Sequence, residues 1–146
     1  MKFAGKELRS AYDILLHETI TVNGLTVKCY DSKAISTAVK PYIIFSTYNQ
    51  NGNVGSKDSF GYNATLNIEI VDGFVSIDNY DRSNVDYIAN RILEIVRPNT
   101  TSVALSLASF KVISCNLSAS FDTFLETEQE NLFRNILVLE HLIIEQ

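Results

Sequence analysis

Tryptophan is absent, and histidine, cysteine and proline occur twice each in 146 residues. Basic residues are outnumbered, with 12 Lys and Arg against 17 Asp and Glu and a formal charge of −5. Each shortage closes a class of explanation. The scattered Lys and Arg leave no basic face of the kind that neutralises nucleic-acid phosphates. Cys29 and Cys115 sit far apart in apolar, strand-like runs, so they read as small buried hydrophobes of a reducing compartment, not as a disulfide or metal pair. His17 and His141 have no Cys or His at metal-ligand spacing. No Gly-x-Ser-x-Gly elbow occurs, and Gly52-Asn53-Val54-Gly55 fits neither a phosphate loop nor a dinucleotide fingerprint. Long apolar runs are missing too, none approaching the roughly 20 residues of a membrane span. Residues 1–6 lack the apolar core of a signal peptide, so the expected location is the cytoplasm.

What is present reads as one α+β domain over residues 1–146, large enough to bury a real core. Residues 6–17 place Leu8, Ala11, Tyr12, Leu15 and Leu16 on one helical face. Residues 19–30 form two β-rich arms about Asn23-Gly24, a hairpin signal because both positions tolerate positive φ. Residues 31–40 read as a surface connection. Pro41, which has no N–H to donate, then suits the start of a strand.

The stretch 41–71 organises the chain. Tyr42 to Tyr48 is dense in β-branched and aromatic residues, and Ala64 to Val71 alternates with a period of two. The two read as an antiparallel pair joined by a long polar loop over 49–62. Loops of that length are functional or disordered. The candidate contact residues in it are Asn49, Asn51, Gly52, Asn53, Val54, Lys57, Asp58 and Phe60. Downstream, Ser83 reads as an N-cap with Asp86 placing negative charge at the positive end of a helix. Val85, Ile88, Ala89, Ile92, Ile95 and Val96 form the buried stripe of that helix, and Pro98 stops it. The carboxylates Asp78, Asp81 and Asp86 lack a calcium-loop pattern, and Glu126, Glu128 and Glu130 read as a solvated turn.

Residues 110–126 alternate again, with Ile113, Cys115, Leu117, Ala119, Phe121, Thr123 and Leu125 assigned to one side of a long, half-buried strand. Residues 132–145 follow as a last strand that is apolar on both faces. Leu132, Ile136, Val138, Leu142 and Ile144 share one face, and Phe133, Leu137, Leu139 and Ile143 the other. Two helices cover only one face of a sheet. The second face is therefore closed either by the small hairpin or by a neighbouring copy. His141, inside an apolar strand, reads as a hydrogen-bonded core or interface residue. With no cofactor, no metal and no nucleophile with a partner, the chain is not expected to be an enzyme.

The order helix, Tyr30-Asp31-Ser32, Pro41-Tyr42 with the apolar strand 43–46, long loop, Ile68-Glu69-Ile70 strand, helix with Asp86-Tyr87-Ile88-Ala89-Asn90-Arg91-Ile92-Leu93 and two closing strands resembles the tail completion, or tail terminator, proteins of long-tailed bacteriophages. That resemblance implies an antiparallel or mixed sheet of four to five strands with two helices on one face. It also implies a subunit that assembles with itself into a hexameric ring on the last ring of a tail tube, binding the tube protein below and a head-neck or stopper protein above. DNA would be only cargo in its channel, and the protein would occupy the host cytoplasm during assembly and the virion tail or neck afterwards. The 49–62 loop would touch the tube or a neighbour, and the second face of the last strand would join subunits. Two other readings stay open beside a terminator or neck-ring role. One is a monomeric acidic adaptor or inhibitor that caps a basic partner, and the other is a small hydrolase whose scattered His and Asp residues converge.

Overall fold

A computed structural model of the chain describes residues 1–54, 59–74, 81–126 and 131–146. The elements run α1 (Gly5–Leu16), β1 (Thr21–Val22), β2 (Leu25–Thr26), β3 (Cys29–Asp31), β4 (Tyr42–Val54), β5 (Gly61–Gly73), α2 (Ser83–Val96), β6 (Phe110–Glu126) and β7 (Asn131–Glu145). The architecture is α+β, with a five-stranded mixed sheet in the order β3-β4-β5-β7-β6 and a separate two-stranded hairpin of β1 and β2. Within the five-stranded sheet the β3–β4 pair is parallel and the other three pairs are antiparallel.

The helices form where the apolar spacing puts them. Leu8, Ala11, Tyr12 and Leu16 of α1 and Val85, Ile88, Ile92 and Val96 of α2 are buried against one face of the sheet. There they meet Ile43, Phe45, Leu66, Ile68, Ile70, Phe133, Leu137, Leu139 and Ile143. The hairpin turn keeps Asn23 at φ 50° and Gly24 at φ 78°, the left-handed pair that an Asn-Gly turn provides. Ile20, Val22 and Val27 send the hairpin into this same helix-side core. It therefore does not cover the second face.

Several expectations are corrected. The polar loop over 49–62 is mostly strand: β4 runs to Val54 and β5 begins at Gly61, with Asn49 opposite Thr65 and Asn51 opposite Asn63. Pairing with β5 supplies the ladder bonds that Asn and Gly would not favour alone. At the start of α2, Ser83 is already helical and Arg82 occupies the N-cap position without a side-chain cap. The Asp81 carboxylate instead accepts the Ser83 N–H at 2.9 Å. In β6, register shifts lie between Val112 and Ser114 and between Leu117 and Ala119. A β-bulge adds a residue and reverses which face the following side chains take. The seven residues assigned to one side are thus split. Cys115 and Leu117 lie on the helix face beside His141 and Leu139, while Ala119, Phe121, Thr123 and Leu125 lie on the opposite face beside Val138, Ile136, Arg134 and Leu132.

Candidate functional site

The open face of the sheet begins with a small apolar cluster of its own. Tyr42, Ile44, Val71 and Leu132 are buried there, with Tyr30, Ala34 and Ala38 packed on them from β3 and the 32–40 connection. The Tyr30 and Tyr42 rings meet edge to face at 5.8 Å. This connection covers one end only. Leu132 is 5% exposed and already spent within the chain, whereas Ile136, Val138, Leu142 and Ile144, expected on the same face, line the stretch outside that cluster. Beside them on β6, Phe121 and Leu125 are each 48% exposed. The result is a partly apolar strip along β7 and β6, interrupted on the same face by Arg134 and Glu140 of β7, Thr123 of β6 and Glu69 of β5. It is bordered by Thr65 and Asn67 of β5 and Thr47, Asn49 and Asn51 of β4 on the same face.

Beyond Cys115 the strand β6 leaves the core, and every residue from 116 to 126 is exposed. On its helix side Leu117 and Phe124 are 45% and 46% exposed. A groove of about 340 Å³ lies between α2 and β6, lined by Asp86, Ala89, Asn90, Leu93, Leu117 and Ser120 among others. Arg82 braces this region by pairing with Asp122 and stacking over the Phe133 ring at 5.1 Å. Near the other end of the groove, Arg97 donates to the Cys115 carbonyl at 2.9 Å and to Asn116 Oδ1.

The expected arm residues lie at the far end of β4. Asn49, Asn51 and Gly52 are strand residues, and Phe60 is exposed where the chain re-enters β5. Asn53 and Val54 belong to β4, but their side chains are outside the described residues, as are Lys57 and Asp58 altogether. Asp78, Glu128 and Glu130 are likewise outside them. The structure therefore brings together the β7 strip with β6 and places the β4 arm toward the opposite edge of the sheet, with Asn49 and Asn51 on the same open face. Sequence reading missed Phe121, Leu125 and Phe124 as surface residues. Their unbroken alternation conceals the bulges.

The titratable groups read as structure. His141 donates from Nδ1 to the Ala64 carbonyl at 2.8 Å, and its Nε2 accepts from the Tyr12 hydroxyl at 2.5 Å. The Cys115 thiol lies 3.6 Å from that hydroxyl. Burial pushes the imidazole down to about 4, so it is neutral. His17 at the end of α1 accepts the Cys29 N–H on Nδ1 at 3.0 Å. Asp13 and the Cys29 sulfur stand nearby. The bond to the Cys29 N–H joins α1 to β3, and burial pushes the Cys29 thiol up to about 12. Both cysteines are free and buried.

No family model and no curated protein matches the sequence. A solved structure described as the virion of a native gene transfer agent particle contains a chain that superposes with a TM-score of 0.70 at 12% identity, covering 100% of both chains. The two chains share one fold. At this identity the likeness speaks for architecture. Full coverage in both directions means that the likeness extends over β6 and β7.

Proposed function

We propose that the protein is a structural virion subunit of a phage-like particle. In this reading it forms a ring at the head-proximal end of a tail, ends growth of the tail tube and joins tail to head or neck. The observation that carries the proposal is the end-to-end fold likeness to a chain of the gene transfer agent virion. The apolar strip of Ile136, Val138, Leu142, Ile144, Phe121 and Leu125 supports self-association, because a solitary copy leaves its β6 margin in water. Binding, without turnover, is the expected work. The acidic balance of −5 suits a passage that DNA traverses without adhering.

A neck or stopper ring would use the same fold, and a monomeric acidic adaptor would need no self-association. Electron microscopy of particles assembled with and without the subunit separates these readings. Tubes of uncontrolled length in its absence support a terminator. Tubes of normal length that fail to carry heads indicate a neck ring, and particles unchanged by its loss overturn both. Native mass spectrometry of the purified chain adds a second reading, since an adaptor stays monomeric at every concentration.

A further inference from the structure

We infer that neighbouring copies join through the two free edges of the main sheet, the β4 edge of one copy pairing antiparallel with the β6 edge of the next. This rests on the ring reading and names the contact that would build it.

Both edges are available along much of their length. The short strand β3 covers β4 only from Ile43 to Phe45, so beyond Ser46 that strand has, among the described residues, a sheet neighbour on one side alone. The strand β6 ends the opposite side of the sheet, where β7 is its one partner among the described residues. Proteins that stay monomeric protect such edges with charge or proline. Here residues 46–54 contain no charged residue and no proline, and neither do residues 112–121. Two charges follow in β6: Asp122 is paired with Arg82, and Glu126 is the last residue of the strand. Bulges, another protective device, occur in both strands, but residues 47–51 and 119–126 pair without interruption within the chain. Each leaves a regular ladder facing outward.

Direction and side-chain chemistry agree. Because β4, β5, β7 and β6 alternate in direction, β6 runs opposite to β4. A neighbour placed with its sheet facing the same way therefore offers an antiparallel partner. The contact joins two different edges, so it is heterologous and generates a ring or an open filament. On the helix side of the β4 edge, Phe3 packs edge-on against Tyr48 at 5.1 Å and is itself 69% exposed. On the helix side of the β6 edge stand Leu117 and Phe124. An edge junction covers both apolar groups at once.

Cysteine cross-linking tests this in the full chain. Thr47, Asn49, Asn51 and Thr123 all lie on the open face, so Thr47→Cys, Asn49→Cys and Asn51→Cys, each combined with Thr123→Cys, scan the register. Within one chain β5 and β7 separate these positions by three strand spacings, about 14 Å, too far for a disulfide. Under mild oxidation at least one double variant should give a ladder of linked oligomers. Each single variant should give less than a tenth of that product. Asn49→Cys with Ser120→Cys, whose side chains take opposite faces, should behave like the single variants. A dimer from Thr123→Cys alone overturns the inference in favour of symmetric β6 pairing. No ladder while the wild-type chain is oligomeric by mass overturns the edge contact and leaves the ring reading standing. No ladder with a strictly monomeric wild-type chain overturns both.

Discussion

The Tyr12 hydroxyl of α1 stands 2.5 Å from Nε2 of His141 in β7, tying the first helix to the last strand through a buried hydrogen bond. The chain of donors is complete when the Cys115 thiol donates to Tyr12, Tyr12 donates to His141 and His141 donates to the Ala64 carbonyl. Tyr12→Phe keeps the ring in the core but leaves Nε2 without a donor. Removing one partner of a buried hydrogen bond costs about 1–3 kcal/mol. The unfolding free energy should fall by that amount, read as a lower urea midpoint with the slope unchanged, and an unchanged midpoint would show that the bond contributes nothing.

The same histidine makes stability depend on pH. The folded imidazole titrates at about 4, below its ordinary 6.5, because burial disfavours the cation. Its contribution is therefore fully present above pH 6.5 and is lost progressively as pH falls toward 4, where the unfolded chain binds the proton and the folded chain does not. At about 1.4 kcal/mol per unit the loss is roughly 3 kcal/mol across that window. The groups facing the ring are the Tyr12 hydroxyl, the Cys115 thiol and the Ala64 carbonyl, none of them charged. Denaturation measured from pH 7 to pH 4 should show the decline, and His141→Gln should flatten it. A wild-type profile that is flat in this range would mean that the folded imidazole protonates as readily as the unfolded one.

Much of this arrangement can be read from the residues, and the exceptions have definite physical causes. The stripe of α1, the stripe of α2, the Asn23-Gly24 turn and both long closing strands follow from periodicity and turn chemistry, which act locally. The second half of β6 does not. The bulge between Leu117 and Ala119 exchanges the faces while the residues keep alternating, and beyond Cys115 this edge strand leaves the core on both faces, so Phe121 and Leu125 look buried in the sequence and are exposed in the fold. The β4 arm fails for the opposite reason: Asn49, Asn51 and Gly52 have weak strand propensity, and pairing with β5 overrides it. The use of Leu132 was also hidden, because Ala34 and Ala38, which pack on its cluster, lie in a connection outside any helix or strand.

The open strip gives a prediction about assembly that is separable from folding. Phe121 and Leu125 are each 48% exposed, so replacing them by Glu should change the stability of the single chain by no more than about 0.5 kcal/mol, the range usual for surface sites. Two carboxylates placed on an apolar strip should nonetheless prevent its burial against a neighbour. Size-exclusion chromatography of Phe121→Glu/Leu125→Glu should show a smaller species than the wild type at equal concentration, with unchanged circular dichroism. An oligomer that persists would remove this strip from the subunit contact.

Two glycines separate backbone strain from surface use. Gly24 holds φ at +78° with open space where an alanine methyl would stand, so Gly24→Ala meets no clash and suffers only the left-handed backbone penalty, about 1 kcal/mol. Gly52 lies in β4, has no positive φ and also faces open space, so Gly52→Val should fold at least as well as the wild type, since a branched residue suits a strand. Thermal melting should therefore lower the midpoint for the first variant and hold or raise it for the second. If the arm of β4 touches the tail tube or a neighbour, Gly52→Val should still weaken that binding, because the added bulk occupies surface that a partner needs. Full assembly by a stable Gly52→Val chain would exclude the arm around Gly52 from the contact.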